Sequence, residues 1–527
     1  MAAQGGGAGL LRNFVNVGAL TLLSRILGFV RDVLMASLLG TGMAADAFFA
    51  AFRFPNLFRR LFAEGAFNTA FVPLFAKSLE QEGNEAAYAL ASRIVSWLLV
   101  FLVGLTILAE IFMPVVMAPF VPGFLDDPEK YDLTVLLTRI CFPYLAFMSL
   151  MAAYSGILNA LGRFTASAAA PILLNIASIV FFVPMLIIGI ESPETTAIWV
   201  AIAIIAGGIA QLVLVTIAVR RANFLPRFAW PRVDKQVQRF WVLAIPAVMT
   251  GGITQINIFV GTIIASAADS AISYLYYADR LYQLPLGIIG IAIGTVLLPE
   301  LSRHLKGGRD VEAKAAQDQS LLIAMLLTLP AAAAFVPLAH PIVQILFERG
   351  AFTPEATAAT AAALIGFAVG LPAFVLVRVL QPGFFAREDT LTPTIYAGIS
   401  VVINIGLSLI LFPTLEHVGI AIATSVAAWA NTGLLAITLA RRGHFSLSAS
   451  HWQKQGLIVL ISLLLALALW GVLLLAGPVF AGTYGFWLQT LVLGVTILAG
   501  MAGYFALVHL TGVQKLGTLL GAFRRRK

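Results

Sequence analysis

Cysteine is almost absent from this sequence of 527 residues, because Cys141 is the only one. A single thiol excludes an internal disulfide and any metal site built from several cysteines. The histidines do not compensate, since no two of them stand at the spacing of a helical ligand pair. They are His304, His340, His417, His444, His451 and His509. The sequence therefore predicts neither a disulfide nor a cysteine or histidine metal site.

Charge is also scarce. Charged residues make up 11% of the chain, whereas a soluble domain carries about 25%. Hydrophobic residues make up 60%, and the mean hydropathy is +0.94. They occur in long runs such as "GLIVLISLLLALALWGVLLLAG" (456–477), and a run of 18 or more predicts a transmembrane helix. These features predict an all-α polytopic membrane protein.

Breaks at glycine, proline and charged residues divide the chain into about fourteen predicted transmembrane helices. The predicted domains are an N-terminal lobe of six helices (1–221), a C-terminal lobe of six helices (222–442), and two extra helices followed by a basic tail (443–527). "FVPLFAKSL" (71–79) resembles "LLPELSRHL" (297–305), and each segment closes an unusually long predicted helix. Such an internal repeat is typical of transporters, whose site lies between two repeats.

The basic residues indicate an orientation. Most of the 33 Lys and Arg residues fall on one side of the predicted spans, notably in 220–240, in 302–314 and in the C-terminal tail. Because cytoplasmic loops carry the excess of Lys and Arg, we expect both termini to be cytoplasmic. The net charge of +8 then reflects topology and affinity for anionic membrane lipids, and nucleic-acid binding is not expected.

Charged residues nevertheless occur inside the first predicted helix. Arg25 and Asp32 are seven residues apart, which places them within about 20° of each other on a helical wheel. Ser24 and Arg31 repeat this spacing, and Gly28 lies between the two pairs. An arginine near the centre of a bilayer costs about 2.5–3.5 kcal/mol on insertion scales. These residues are therefore candidates for a functional site.

The second predicted helix (44–77) carries a stripe of charge around a proline. The stripe consists of Asp46, Arg53, Arg60 and Glu64. Arg59 lies off the stripe of an ideal helix, but Pro55 removes a hydrogen bond and is expected to bend this one. Asn56, which follows the proline, joins the candidate set. The eighth predicted helix adds Asp279, Arg280 and Gln283 beside another proline.

Arginines outnumber carboxylates among these residues. Arg–carboxylate pairs that lock helices together would account for individual acids, but they leave several arginines without an anion. Guanidinium groups bind phosphate oxygens through two parallel hydrogen bonds and stay charged at physiological pH. The pattern therefore predicts a cationic cavity for an anionic, phosphorylated ligand. The last two helices are nearly free of charge, which suits either a plain scaffold or an apolar groove for a lipid chain.

Four segments resemble one known family. They are "SRILGFVRD" (24–32), "GMAADAFFAAFRFPNLFRRLFAEGAFNTAFVP" (42–73), "YYADRLYQLPLGIIGIAIGTVLLPELS" (276–302) and "VRVLQPGFFAREDTLTP" (377–393). Together they are similar to the MurJ (MviN) lipid II flippases of the multidrug/oligosaccharidyl-lipid/polysaccharide exporter superfamily. The resemblance extends over essentially the whole chain.

The resemblance implies two six-helix bundles in a V around a cationic cavity, with two further helices that form a lipid-tail groove. It implies alternating-access transport of undecaprenyl-diphosphate-linked peptidoglycan precursor from the inner to the outer leaflet of the bacterial cytoplasmic membrane, with peptidoglycan synthases as further partners. Essential arginines of the family match Arg25, Arg31, Arg59 and Arg280, and important acids match Asp32 and Asp46. Gly28, Pro55, Asp279 and Gln283 are the expected hinge and gating residues.

Gln283 departs from the glutamate that several relatives have at this place, so a gating acid is weakened or moved here. No bound cofactor is expected, although the resemblance implies coupling to a sodium ion or to the membrane potential. The seventh predicted helix has no acid for a sodium site in 244–266, and Asn257 and Asn404 are only polar candidates.

Three other functions compete with this prediction. The nearest is a flippase or exporter of another anionic lipid-linked saccharide with the same fold. A lipid-linked glycosyltransferase would need paired carboxylates in a sizeable soluble region, whereas the acidic loop 122–132 is short. An exporter of cationic drugs should have an acidic cavity, which the arginine excess opposes. Walker, zinc-protease and nucleophile-elbow motifs are all missing from the sequence, so we expect a transporter and no enzyme.

Overall fold

The computed structural model describes residues 6–60, 70–190, 192–230, 232–445 and 449–514. These residues form helices and no strand, as the sequence predicts. The helices are α1 (Gly6–Leu39), α2 (Met43–Arg59), α3 (Val72–Gln81), α4 (Asn84–Met117), α5 (Pro128–Cys141), α6 (Tyr144–Ala160), α7 (Phe164–Ile188), α8 (Pro193–Arg221), α9 (Lys235–Ala265), α10 (Ala271–Lys306), α11 (Asp310–Phe347), α12 (Pro354–Ala368), α13 (Leu371–Phe385), α14 (Leu391–Arg441), α15 (Ala449–Pro478) and α16 (Phe486–Leu510).

Three helix starts follow directly from a short sequence signal. Asp127, Ser192 and Thr353 each precede a proline, and each side chain accepts a hydrogen bond from the backbone N–H three residues later. A short polar N-cap satisfies a backbone donor that the first turn leaves without a partner, and proline at the first helical position has no N–H to lose. These caps set the starts of α5, α8 and α12.

The observed helices correspond to the predicted spans, except that some predicted spans are divided into two helices and others are joined into one. α5 and α6 meet at Phe142–Pro143 and together form one apolar span, Pro128–Ala160. α14 contains two predicted helices, 393–412 and 418–440, because the backbone leaves helical geometry at Glu416 (φ 46°, ψ −129°). Within the described residues, nine helices are long and apolar enough to cross a membrane. The count of fourteen stays a prediction.

The two ends of α14 meet because the chain reverses at Glu416. Asp389 accepts hydrogen bonds from the backbone N–H of Thr392 at 3.0 Å and from its hydroxyl at 2.7 Å. The Arg442 guanidinium lies 2.6 Å from the same carboxylate. Hydrogen bonding by Arg442 and then by Thr392 lowers the pKa of Asp389 from its usual 3.8 to about 2. The carboxylate thus ties the start of α14 to the residue after its end.

The chain divides into two compact units. The first comprises residues 1–273 and 349–352, and the second comprises 274–348 and 353–527. In the first, α7 packs against α1 and α8, and α2 packs against α5. In the second, α11 packs against α12, α13 and α15. The three domains predicted from the sequence stay a prediction.

Candidate functional site

The charged residues of α1 form a close pair that the helical wheel did not predict. Asp32 Oδ1 accepts hydrogen bonds from Arg31 Nη2 at 2.7 Å and from Arg31 Nε at 3.1 Å. The Arg31 and Asp32 side chains are 13% and 7% exposed. Adjacent residues project about 100° apart on a helix, so the long arginine side chain must fold back to reach its neighbour. Arg25, the residue that the wheel placed with Asp32, is exposed.

Gly28 lies beside a side chain from another helix. The Asn175 side chain of α7 donates a hydrogen bond to the carbonyl oxygen of Ser24 at 2.9 Å. A Cβ atom added to Gly28 would lie 3.4 Å from Asn175 Nδ2, at ordinary contact distance. Ser24 is the residue whose carbonyl accepts from the Gly28 N–H in a regular helix. Asn175 therefore reaches into the hydrogen-bond ladder of α1 at the predicted hinge.

The arginines of α2 have neutral partners. Arg53 Nη1 donates to Thr262 Oγ1 of α9 at 2.8 Å. Arg59 Nε donates to Asn56 Oδ1 at 2.7 Å, so Asn56 positions an arginine. The helix continues through Pro55 as far as Arg59, and Arg60 follows as its half-buried cap residue. The hydroxyl of Thr262 and the amide of Asn56 thus orient two of these guanidinium groups.

Glu64 lies outside the described residues, which omit 61–69. Its predicted place on the stripe therefore stays a prediction, as does the continuity of the predicted helix 44–77.

Asp46 differs from the arginines because protein groups occupy its oxygens. Its side chain is fully buried and lies 3.2 Å from Lys130 Nζ of α5. The other oxygen accepts from the backbone N–H of Ser273 at 2.9 Å and from its hydroxyl at 2.8 Å. The first turn of a helix leaves backbone donors without partners, and a carboxylate there is favoured by the helix dipole. Asp46 thus caps α10 and neutralises Lys130.

These contacts change the reading of Asp46. The wheel groups it with Arg53 and Arg60, whereas in the structure it pairs with Lys130, which itself is 3% exposed. A substrate-binding role for Asp46 stays a prediction, and its geometry favours a structural role. One of the carboxylates that the sequence set against the arginines is thus paired with Lys130.

The second unit holds the predicted residues of α10. Arg280 Nη2 donates to the Tyr276 hydroxyl at 2.9 Å, and the guanidinium lies 4.7 Å from the centre of that ring. Gln283 donates a hydrogen bond to the Asp279 carboxylate one turn earlier. A glutamate at position 283 would stand next to that carboxylate as a second negative charge. The glutamine therefore replaces a repulsive pair with a hydrogen bond.

Arg378 of α13 is a further arginine within an apolar helix, and it was not among the residues predicted from the sequence. It is exposed and lies within the apolar span Pro354–Phe385. A Cβ atom on Gly290 of α10 would lie 2.8 Å from Arg378 Cδ, so the glycine makes room for the arginine stem. A charge inside "LPAFVLVRVLQPGFF" (371–385) is the sequence signal that could have identified it.

An apolar groove of about 490 Å³ runs between α15 and α16. Its lining residues include Leu465, Leu469, Val472, Ala499, Gly500 and Leu507. Tyr504 also lines the groove, and its hydroxyl donates a hydrogen bond to the carbonyl of Leu326 at 2.9 Å. The groove has the lining that a hydrocarbon chain requires.

The chain matches the family described as lipid II flippase MurJ over residues 35–499. The chain belongs to the MurJ family. It is 45% identical over 523 residues to a probable lipid II flippase MurJ of Rhizobium tropici, with 98% of this chain and 97% of the relative covered. It is 46% identical to that of Rhizobium meliloti, with 98% and 96% covered. The family predicted from the four sequence segments is confirmed.

Solved structures agree with the MurJ assignment. A lipid II flippase MurJ in an inward closed conformation is 26% identical, with a TM-score of 0.77 over 94% of this chain and 98% of that one. An inward-facing MATE family multidrug transporter of the MOP superfamily is 14% identical, with a TM-score of 0.65 over 81% of this chain and 98% of that one, which shows the fold alone. The chain is thus a bacterial multi-pass membrane protein of a transporter family, and the prediction that it is no enzyme is confirmed. The residue roles taken from the MurJ resemblance stay predictions.

Proposed function

We propose that this chain is a lipid II flippase. It moves undecaprenyl-diphosphate-linked peptidoglycan precursor from the inner to the outer leaflet of the bacterial cytoplasmic membrane, by alternating access, for cell-wall biosynthesis. The basic segments 220–240 and 302–314 support cytoplasmic termini, since cytoplasmic loops carry the excess of Lys and Arg. Membership of the MurJ family supports the substrate.

The carrying observation is arginine held within apolar helices, with each guanidinium group oriented by a polar side chain. Arg53 and Arg59 are half-buried and donate to a hydroxyl and an amide. Arg280 does the same with a phenol in the second unit. Charge kept at this cost in a membrane marks a substrate path. A diphosphate offers several acceptor oxygens to planar guanidinium groups, which bind them in pairs.

Translocation also requires the headgroup to be released. A ligand drives a conformational change only through different affinities for the two states, so the arginines should hold the diphosphate more tightly in the inward-open state. Gly28 and Pro55 are the proposed bending points of α1 and α2, while Asp279 and Gln283 are proposed to act in gating. The groove between α15 and α16 would take the undecaprenyl chain.

The test is the accessibility of lipid II in cells that are depleted of their own flippase and express this chain. An externally added enzyme that cleaves lipid II reports how much has reached the outer leaflet. We expect cleavage to be restored by this chain and lost with Arg25→Ala at equal membrane abundance. Arg163→Ala is the matched control, because Arg163 is exposed in the turn between α6 and α7.

The same assay separates the alternative substrate. Correctly inserted protein that leaves lipid II protected would contradict the proposal and favour a flippase of another anionic lipid-linked saccharide with the same fold. Unchanged cleavage with Arg25→Ala would contradict the role of that arginine but not the substrate.

The energy source and the protein partners are further parts of the proposal. We propose coupling to sodium or to the membrane potential, because the sequence has no nucleotide-binding motif. Transport in vesicles under an imposed potential, with and without a sodium gradient, distinguishes the two. Peptidoglycan synthases are the proposed consumers of the transported precursor, and crosslinking in growing cells would test that contact.

A further inference from the structure

The connection between α8 and α9 is an extended strap, defined here as residues 222–230 and 232–234. Loops of this length normally cover polar surface and place their own polar groups in water. This strap instead carries "FLPRFAW" (224–230), a segment rich in apolar and aromatic residues. Its contacts within the first unit explain how such a segment is held.

The strap backbone is fixed on one face of α4. Ser92 Oγ accepts a hydrogen bond from the backbone N–H of Arg227 at 3.2 Å. Ser96, one turn later, accepts from the backbone N–H of Ala229 at 2.9 Å. The Trp97 indole then donates to the carbonyl of Arg232 at 3.1 Å. Three positions of the strap backbone are thus bonded to side chains of α4.

The strap ends at an ion pair. Asp234 contacts the Arg93 guanidinium and accepts from the backbone N–H of Val237 at 2.8 Å, which caps α9. Partial burial opposes ionisation of Asp234, but the bonds from Val237 and Arg93 outweigh it and lower its pKa. The strap is therefore anchored at Arg227, Ala229, Arg232 and Asp234.

Large apolar side chains face outward from this anchored backbone. Phe228 is 56% exposed, Trp230 is 80% exposed and Val233 is 62% exposed. The Phe228 and Trp230 rings stand edge to face with centres 6.5 Å apart. Exposure of this apolar surface to water is unfavourable, so a less polar surrounding would stabilise the arrangement.

The exposed apolar faces of α4, α8 and α9 indicate where the strap lies along the membrane normal. On α4 the exposed apolar face begins at Val100, four residues and about 6 Å beyond Ser96. On α8 it ends at Ile217, three residues before Arg220, and on α9 it begins at Val242. The headgroup layer on each side of a bilayer core is about 5–8 Å deep. The strap contacts α4 at Trp97, Ser96 and Ser92, about 4.5, 6 and 12 Å before Val100 along the helix, so it spans this layer and its outer edge.

Positive charge surrounds the outward aromatic rings. The segment 220–240 has six basic residues and one acid, Asp234. The six are Arg220, Arg221, Arg227, Arg232, Lys235 and Arg239, and all are exposed. Aromatic residues with a polar atom favour the membrane interface, and basic residues there bind anionic lipid headgroups.

We propose that the strap is an interfacial anchor that inserts Phe228 and Trp230 between headgroups and binds the phosphates of anionic phospholipids through Arg227 and Arg232. The partner is the anionic lipid surface itself. This inference rests on the strap and its neighbouring helices and does not depend on which lipid the protein transports.

The test places a fluorescent label on the strap in the full-length protein. Val233→Cys is labelled with an environment-sensitive dye, and the native Cys141 is fully buried and serves as the unlabelled background. Val311→Cys is the matched control, because Val311 is 78% exposed in the first turn of α11, between the acidic residues Asp310 and Glu312. Bilayer discs contain either zwitterionic lipid alone or a mixture with phosphatidylglycerol. A quencher attached just below the headgroup reports insertion.

We expect the strap label to be quenched strongly and the control label weakly, with stronger strap quenching in phosphatidylglycerol. Arg227→Gln should reduce the retention of phosphatidylglycerol by the purified protein about fivefold, the effect of one interfacial cation. Trp230→Ala should shift the label emission toward that of water. A strap label as weakly quenched as the control, or quenching equal in the two lipid mixtures, would overturn the proposal.

Discussion

Two charged regions of the first unit differ in the side chains that contact their charged groups. At the junction of α1 and α2, Asp46 is fully buried and its oxygens are occupied by Lys130 and Ser273. Farther along α2, Arg53 and Arg59 are half-buried and donate to neutral side chains. We expect the buried Asp46–Lys130 pair to stabilise the fold and the arginines of α2 to serve ligand binding. The predictions below test that distinction.

The largest expected effect is on stability at the Asp46 pair. Lys130→Met removes the ammonium and leaves a buried carboxylate without its counter-charge, which should cost about 3–5 kcal/mol. Thermal unfolding of the purified protein measures it. The double variant Lys130→Met/Asp46→Asn should recover most of the loss, and Lys77→Met, at an exposed lysine of α3, should melt like the parent protein. A Lys130→Met protein as stable as the parent would contradict the stabilising role of this ion pair.

The same region has a tight backbone contact that a single methyl group should disrupt. The backbone N–H of Ala351 donates to the carbonyl of Ser37, near the end of α1, at 2.9 Å. A Cβ atom on Gly350 (φ +59°) would lie 2.3 Å from that carbonyl oxygen. Gly350→Ala should cost about 2 kcal/mol through backbone strain and the lost hydrogen bond.

Gly308→Ala isolates the contribution of this contact. Gly308 has a similar φ of +68° but nothing within 4 Å of an added Cβ atom. It therefore carries the same backbone strain without the clash. If both variants lose the same unfolding free energy, the contact with Ser37 adds no stability.

The arginines should respond in the opposite manner, with lost transport and unchanged stability. Arg59→Lys keeps the charge but not the planar fork, so lipid II translocation should fall about tenfold while the melting temperature stays constant. Arg59→Ala should abolish transport. The cleavage assay and thermal unfolding are run on the same preparations. A parallel loss of stability would show that Arg59 belongs with the Asp46 region.

The smallest effect is expected where a paired charge is in contact with water. Asp389 and Arg442 form an ion pair whose side chains are 23% and 43% exposed. The lowered pKa of Asp389 means that its contribution is complete above about pH 4 and is lost as the pH falls toward about 2. Arg442→Gln should remove about 0.5–1 kcal/mol at neutral pH. It should also reduce the dependence of the unfolding free energy on pH between about pH 4 and about pH 2.

The helices and the arginines were accessible from the sequence for a simple reason. Long apolar runs predict spans, and a charge inside such a run is conspicuous whatever its neighbours are, as with Arg31 or Arg280. The polar-proline pairs at 127–128, 192–193 and 353–354 likewise mark helix starts, because capping involves residues only three apart. Local spacing is sufficient for such features.

Partners from distant parts of the chain were not accessible. The wheel placed Asp46 with Arg53 because it describes one helix alone, whereas Lys130 lies 84 residues away on α5. Asn175 was missed for the same reason, since its meaning depends on Ser24 on another helix. Arg378 was missed although its charge stands inside an apolar run. Periodicity assigns a face to a residue but does not say what packs against that face.

The contact between Asn175 and Ser24 has a consequence for the motion of α1. A helix that bends in a membrane normally leaves a carbonyl oxygen dehydrated and without a donor, and this costs several kcal/mol. At Ser24 a second donor is already in place at 2.9 Å. The Gly28 N–H bond can therefore lengthen without leaving that oxygen unsatisfied. We therefore expect bending of α1 at this turn to cost less than bending at a turn whose carbonyl oxygen has a single donor.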